Sequence, residues 1–289
     1  MINLLLSIIS STVILTLFKA FGKFKVNTFQ AIVVNYIVAA SCGFFSYGAT
    51  IWPDLPWFKP WFIPAVFLGV LFISIFNLMA LTAQRLGLSV VSVATKMSVA
   101  LPILFGFLYY KEVVSFPKVI GILLALLALY LSSQKKEGSR KFHLKDLLLP
   151  LLVFLGSGVI DTSIKFLEEQ YVSELEVSQF SATIFSFAAL SGLLLLIINT
   201  FKGKVKIQRK NIIAGIALGI PNYFSIYFLV QALRIPYLDS ATVFTLNNIA
   251  IVVVATITGI LLFKERLSRT NWLGIALALT SIAVIAFYT

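Results

Sequence analysis

Between Ile2 and Phe287 the chain alternates long apolar runs with short polar stretches, and the runs predict ten membrane-spanning helices. They cover Ile2–Phe18, Thr28–Tyr47, Phe62–Ala83, Ser89–Tyr110 and Lys118–Ser132, then Leu147–Phe166, Val177–Asn199, Ile212–Leu233, Ser240–Phe263 and Asn271–Phe287. About 20 apolar residues in a helix cross the roughly 30 Å of a bilayer core. The shorter runs imply tilt or local thinning. A polar, basic stretch from Ser133 to Asp146, containing Gly138, separates the two sets. It divides the chain into a first five-helix repeat at 1–133, a linker at 134–146 and a second repeat at 147–289.

The fourth run is the most unusual. It carries a charge, Lys96, inside the apolar stretch, a helix breaker at Pro102, and it stops at Lys111-Glu112. The ninth run has Asn247 and Asn248 inside it and stops at Lys264-Glu265. A charge in hydrocarbon costs about 2.5 kcal/mol or more and marks function by default.

The similarity of these two runs belongs to a longer repeat. Val13-Ile14-x-Thr16-x-x-Lys19 recurs as Val159-Ile160-x-Thr162-x-x-Lys165, and Phe29-x-Ala31 as Phe180-x-Ala182. Leu68-Gly69 recurs as Leu218-Gly219, Ala80-Leu81 as Ala232-Leu233, and Lys111-Glu112 with Gly121 as Lys264-Glu265 with Gly274. The order is kept and the separation stays at about 150 residues. Five spans per half is an odd number, so the second half crosses the membrane in the opposite sense. The expected fold class is therefore an all-α integral membrane protein, ten transmembrane helices forming two inverted five-helix repeats.

Ten helices as five plus five, with Ala-Leu before the fourth and ninth and a Lys-Glu step after them, resemble the EamA-type transporters of the drug/metabolite transporter superfamily. The step Phe263-Lys264-Glu265-Arg266-Leu267 matches most closely, and Tyr110-Lys111-Glu112-Val113-Val114 departs more. The resemblance covers nearly the whole chain. It implies export or exchange of small metabolites through a central cavity walled in part by the third, fourth, eighth and ninth helices. It leaves the substrate open.

Composition agrees with a membrane protein: of 289 residues 60% are apolar and 12% charged, with mean hydropathy +0.99. A soluble domain carries about 25% charged residues. The net charge of +12 is not a nucleic-acid footprint, because the bases sit in short loops. Met1 to Leu6 lacks a basic leader region, so the first run reads as a retained helix. Loops after the odd-numbered spans hold most of the bases, from Lys19, Lys23 and Lys25 through Arg85 and Lys202 to Arg266 and Arg269. The other side has only Lys59, Lys111, Lys118, Lys165 and Arg234. The positive-inside rule then puts both termini outside, in what is expected to be a bacterial inner membrane.

The single cysteine, Cys42, and single histidine, His143, supply neither a metal cluster nor an intrachain disulfide. No zinc signature and no Walker-type phosphate loop occurs. Gly156-Ser157-Gly158 has no membrane-embedded histidine to act as base, so catalytic residues, metal and cofactor are all expected to be absent. Trp52, Trp57, Trp61, Tyr109 and Tyr110 fit an interfacial aromatic belt.

Lys96 is the leading candidate for binding a negative group on a substrate, with a lysine that snorkels to the interface as the competing reading. Asn248 falls near its repeat position. Asn77, Asn222, Tyr227, Asn247 and Asn248 are the other candidates for lining a substrate site, against a plain role as hydrogen-bonded glue. Asp161 is a candidate proton carrier, because burial raises a carboxylate pKa; the alternative is an ion pair with Lys165. The expected function is secondary transport of a small polar metabolite, an amino acid or organic anion, by alternating access. The expected partners are that substrate, the lipid bilayer and a coupling proton, with no nucleic acid. A carrier of lipid-linked or nucleotide-linked sugars and a non-transporting membrane sensor are the rival readings.

Overall fold

The computed structural model describes residues 1–47, 56–109, 111, 115–134, 144–173, 176–202, 206–233 and 240–287. Trp52, Tyr110, Glu112, His143 and most of the middle linker lie outside the described residues. Among the described residues there are eleven α-helices and no strand. They are α1 (Ile2–Lys23), α2 (Thr28–Tyr47), α3 (Phe62–Leu86), α4 (Leu88–Met97), α5 (Ala100–Tyr109), α6 (Phe116–Ser132), α7 (Leu144–Tyr171), α8 (Val177–Phe201), α9 (Arg209–Leu233), α10 (Ser240–Phe263) and α11 (Arg269–Phe287). Eight stretches are long and apolar enough to cross a membrane, α4 and α5 together forming one of them, and Thr28–Gly43 and Phe116–Ser132 are shorter apolar helices. The ten expected spans thus fall on helices among the described residues, the fourth interrupted at Ser98 and Val99.

Several helices outrun their apolar cores. α7 continues to Tyr171, past the expected end at Phe166, through Glu168, Glu169 and Gln170. These unbranched polar side chains favour helix almost as well as apolar ones do. Asp161 therefore stands ten residues from the end of its helix (171 − 161 = 10) rather than near it. α9 begins at Arg209 for the same reason and runs unbroken through Pro221.

The chain forms two compact units. The first comprises Met1–Lys19, Leu78–Val159 and Ser225–Thr289, and the second Ala20–Asn77 and Ile160–Phe224. Each draws on both halves of the repeat.

In the first unit α6 packs on α11 and α4 on α10. The Ser281 hydroxyl donates to the Gly121 carbonyl (2.7 Å), and Asn271 at the other end of α11 donates to the Ser132 carbonyl (2.8 Å), so α6 and α11 run antiparallel. In the second unit α2 packs on α8, again antiparallel: Val33 lies against Gly192 and Tyr36 against Phe185. Each of these pairs joins repeat mates, the fifth span with the tenth, the fourth with the ninth and the second with the seventh. Antiparallel mates are what an inverted repeat produces.

The glycines of the Leu-Gly repeat show the same relation inside the second unit. A Cβ at Gly69 would stand 2.8 Å from the Ile184 carbonyl oxygen and the Ala188 nitrogen of α8. A Cβ at its mate Gly219 would stand 2.8 Å from the Asn35 carbonyl oxygen of α2. Third span on seventh and eighth on second are mirrored contacts, both backbone to backbone. The core of this unit gathers Trp61, Ala65, Leu68, Leu167, Phe180 and Ile184. Trp61 departs from the interfacial reading: it is fully buried edge-on against Phe180, whereas Trp57 is exposed. Nearby, Lys59 lies 2.7 Å from Glu176 and, by its hydrogen bond, holds that carboxyl below the usual carboxylate range.

Candidate functional site

The fourth span is broken where Pro102 dictates. Proline has no N–H to give, and its ring collides with the carbonyl four residues back, here that of Ser98. α4 accordingly ends at Met97, Ser98 and Val99 form a turn, and α5 resumes at Ala100. The Leu101 N–H reaches only three residues back, to the Ser98 carbonyl (2.9 Å). Hydroxyls occupy carbonyls of the last two turns of α4: Ser98 donates to Thr95 (2.6 Å) and Thr95 to Val91. α10, the repeat mate, runs unbroken because its corresponding positions hold Val254 and Ala255.

Lys96 sits in that last turn, where the helix dipole is negative and favours a cation. From Leu88 to Ala94 every residue of α4 is buried, and accessible surface begins at Thr95 and Lys96. Eight residues from the start of α4 (96 − 88 = 8) correspond to about 12 Å at 1.5 Å per residue. The lysine thus stands well inside the span, at a helix break.

The opposite end of α4 is fixed by a residue from the second half. Gly87, with φ 113°, offers no capping side chain. Beyond the end of α10, Lys264 takes the left-handed conformation (φ 53°), and the Glu265 N–H folds back onto the Gly259 carbonyl (3.0 Å). This turn delivers the Glu265 carboxylate to the Leu88 N–H, 2.9 Å from Oε1 and 3.2 Å from Oε2. Two glycines make room for it: a Cβ at Gly87 or Gly259 would lie 2.8 or 2.6 Å from Oε2. The Lys19 ammonium is 3.4 Å from Glu265 Oε1 and 3.4 Å from the Gln84 carbonyl, and the Gln84 amide donates to the Phe18 carbonyl (3.0 Å). The ends of α1, α3, α4 and α10 are thereby tied beside a cavity of about 210 Å³ lined by Lys19, Arg85, Arg266 and Asn271. Lys111, repeat mate of Lys264, shares its left-handed backbone (φ 54°).

The contact of Leu88 with Gly259 also sets the register of the antiparallel α4–α10 pair. Asn248 lies eleven residues before Gly259 on α10, the repeat mate of the broken span (259 − 248 = 11). Asn248 is half-buried, and its neighbour Asn247 is buried and accepts a hydrogen bond from the Ser7 hydroxyl (3.2 Å). The same hydroxyl lies 3.0 Å from the Ser225 carbonyl, so Asn247 helps hold α1, α9 and α10 together. Tyr227, also in the first unit, is 37% exposed.

The other three predicted residues belong to the second unit. Asn77 donates to the Ile73 carbonyl of its own helix (2.7 Å), Asn222 is buried, and Asp161 is exposed in mid-helix. Lys165 lies 3.8 Å from Glu169. Sequence reasoning missed the role of Glu265, which it read as a charge ending a span. The available signal was the start of α4, a Gly-Leu step with no Ser, Thr, Asp or Asn to cap it.

Antiparallel repeat mates and a broken span with a charge at the break are features of polytopic α-helical transporters. The EamA-like transporter family matches residues 144–287, the second five-helix half. A protein of Haemophilus influenzae described as uncharacterized is 31% identical over 292 residues, covering 97% of this chain and 96% of that relative. A solved structure described only as "Crystal structure of protein" shares the fold, with TM-score 0.57, 17% identity, and 98% of this chain and 96% of that one covered. The chain belongs to the EamA-like transporter family, and it is an integral membrane transporter of the drug/metabolite type.

Proposed function

We propose that this transporter moves a small polar metabolite carrying a negative group, an amino acid or organic anion, by alternating access. The observation that carries this reading is Lys96 at the break of the fourth span. A lysine there suits a carboxylate or phosphate that arrives with the substrate. Asn248, half-buried on the repeat mate α10, is assigned to supply an amide for the polar remainder, and Tyr227 is assigned as a lining residue. Asn247 keeps its holding role with Ser7 whether or not it meets substrate.

Asn77 and Asn222 are assigned as polar lining residues of their own helices. Asp161 is assigned the proton step, on the ground that Leu15 stands at its repeat position, so the acid belongs to one half only. The loop charges support termini outside, and a bacterial inner membrane is the assigned location.

Flux into proteoliposomes tests the reading. The purified protein is expected to exchange labelled amino acids or organic anions at rates well above protein-free vesicles. A protein that moves none of them, but does move nucleotide-linked sugars or nothing at all, would overturn it.

A further inference from the structure

The second unit carries a groove that the transport reading does not use. It lies where α1 turns into α2 and α9 begins, has a volume of about 390 Å³, and is lined by Lys25, Asn27, Lys206, Gln208, Lys210 and Asn211. Its walls are held by the main chain and by buried amides. The backbone reverses at Lys25 (φ 51°), where the Val26 N–H donates to the Phe21 carbonyl (2.9 Å). Asn27 accepts the Gln30 N–H (3.1 Å) and so opens α2. Buried Asn211 accepts the Asn27 N–H (3.0 Å) and donates to the Gln30 side-chain oxygen (2.6 Å). Gln30 in turn donates to the Lys206 carbonyl (2.8 Å), and Lys210 to the Lys25 carbonyl (2.9 Å). Three lysines from two segments, the α1–α2 turn and the start of α9, are thus set around one polar groove.

The surroundings sharpen what it fits. Lys23 ends α1, Arg209 begins α9, and Lys202 caps the end of α8. The described acids of this unit, Asp161, Glu168, Glu169 and Glu176, lie on α7 or before α8, away from the end of α8 at Lys202. Beside the lysines the chain exposes Phe24 (67%), Ile207 (60%) and Phe201 (88%). Bases next to bare apolar side chains match the boundary between lipid headgroups and acyl chains. A free phosphate would use the lysines and leave the apolar side chains in water.

We propose that this groove binds the phosphate of an anionic phospholipid, with Lys25, Lys206 and Lys210 as its contacts and Phe24 and Ile207 against the lipid chains. The test titrates the detergent-purified full chain with phosphatidylglycerol, phosphatidylcholine and inorganic phosphate, and reads bound lipid by native mass spectrometry and the shift in melting temperature. Phosphatidylglycerol is expected to bind and stabilise where phosphatidylcholine does not. Each lysine near a headgroup contributes about fivefold, so Lys25→Gln/Lys206→Gln/Lys210→Gln should weaken phosphatidylglycerol at least about tenfold. Lys206→Glu alone, which leaves the backbone acceptor of Gln30 in place, should weaken it measurably should the triple variant fail to fold. A control triple, Lys111→Gln/Lys118→Gln/Lys165→Gln, removes equal charge elsewhere and should keep wild-type affinity. Equal loss in the control, unchanged affinity in both groove variants, or saturation by inorganic phosphate with no preference for the lipid would each overturn the proposal.

Discussion

The Glu265 carboxylate accepts the main-chain N–H of Leu88 across 177 positions of sequence, so the helix that carries Lys96 is capped by a residue of the other repeat. A cap of this kind contributes about 0.5–2 kcal/mol. Lys19 adds an ion pair whose side chains are only 19% and 10% exposed.

Glu265→Ala is predicted to cost about 2 kcal/mol, from the lost cap and the abandoned Lys19 charge. Glu265→Gln keeps an oxygen for the Leu88 N–H and should cost about half as much. Lys19→Met should cost less than about 1 kcal/mol, because the carboxylate keeps its backbone donor. Melting in detergent, followed by size-exclusion chromatography, ranks the three; a Lys19 variant less stable than the Glu265→Ala protein would show that the ion pair, not the cap, holds these ends.

The repeat glycines Gly69 and Gly219 and the roomier Gly43 give predictions of opposite sign. Gly69→Ala and Gly219→Ala each force a Cβ to 2.8 Å from backbone atoms of a neighbouring helix, which cannot swing aside. Each should destabilise by about 1–3 kcal/mol. Gly43→Ala meets its nearest atom, on Tyr223, at 3.9 Å, so it should be neutral or stabilise by up to about 1 kcal/mol through helix propensity. Thermal melting of the three single variants decides; equal effects at Gly43 and Gly69 would contradict the close approach.

Much of this was legible in the chain. Ten apolar runs foretold the helices, and the Leu-Gly and Lys-Glu repeats foretold two halves crossing the membrane in opposite senses, though not which mates pack together. What was not legible lay either at helix ends or across long separations. The apolar run under Asp161 ends at Phe166, but Glu168, Glu169 and Gln170 extend α7 to Tyr171, and hydropathy is blind to that. Pro102 announced a break, yet the break falls at Ser98 and Val99, because the proline ring strikes the carbonyl four residues back. Glu265 looked like a charge that ends a span, since nothing local in a sequence tells which distant N–H a carboxylate will meet.

Pro102→Ala restores an N–H that can reach the Ser98 carbonyl. It is predicted to join α4 and α5, to raise or preserve stability, and to slow transport, because Lys96 then no longer stands at a helix end. Hydrogen exchange at residues 98–103 reads the joining, and flux reads its consequence. Unchanged exchange with unchanged flux would remove the break from the mechanism.

Asp161→Asn is predicted to weaken proton-gradient-driven uptake severalfold while sparing exchange of substrate for substrate, since only the driven mode needs a titrating carboxylate. Uptake with and without an imposed pH gradient separates the modes. Full driven uptake by the asparagine variant would return Asp161 to a structural role.

The most direct test of the central assignment is substrate binding by Lys96→Gln in detergent. Once the flux panel has named an anionic substrate, the variant should express and melt like wild type but bind that substrate at least about tenfold more weakly, as expected for losing a hydrogen bond to a charged group worth about 1.5–3 kcal/mol. Wild-type affinity and transport in Lys96→Gln would contradict the assignment and leave Lys96 a snorkelling lysine.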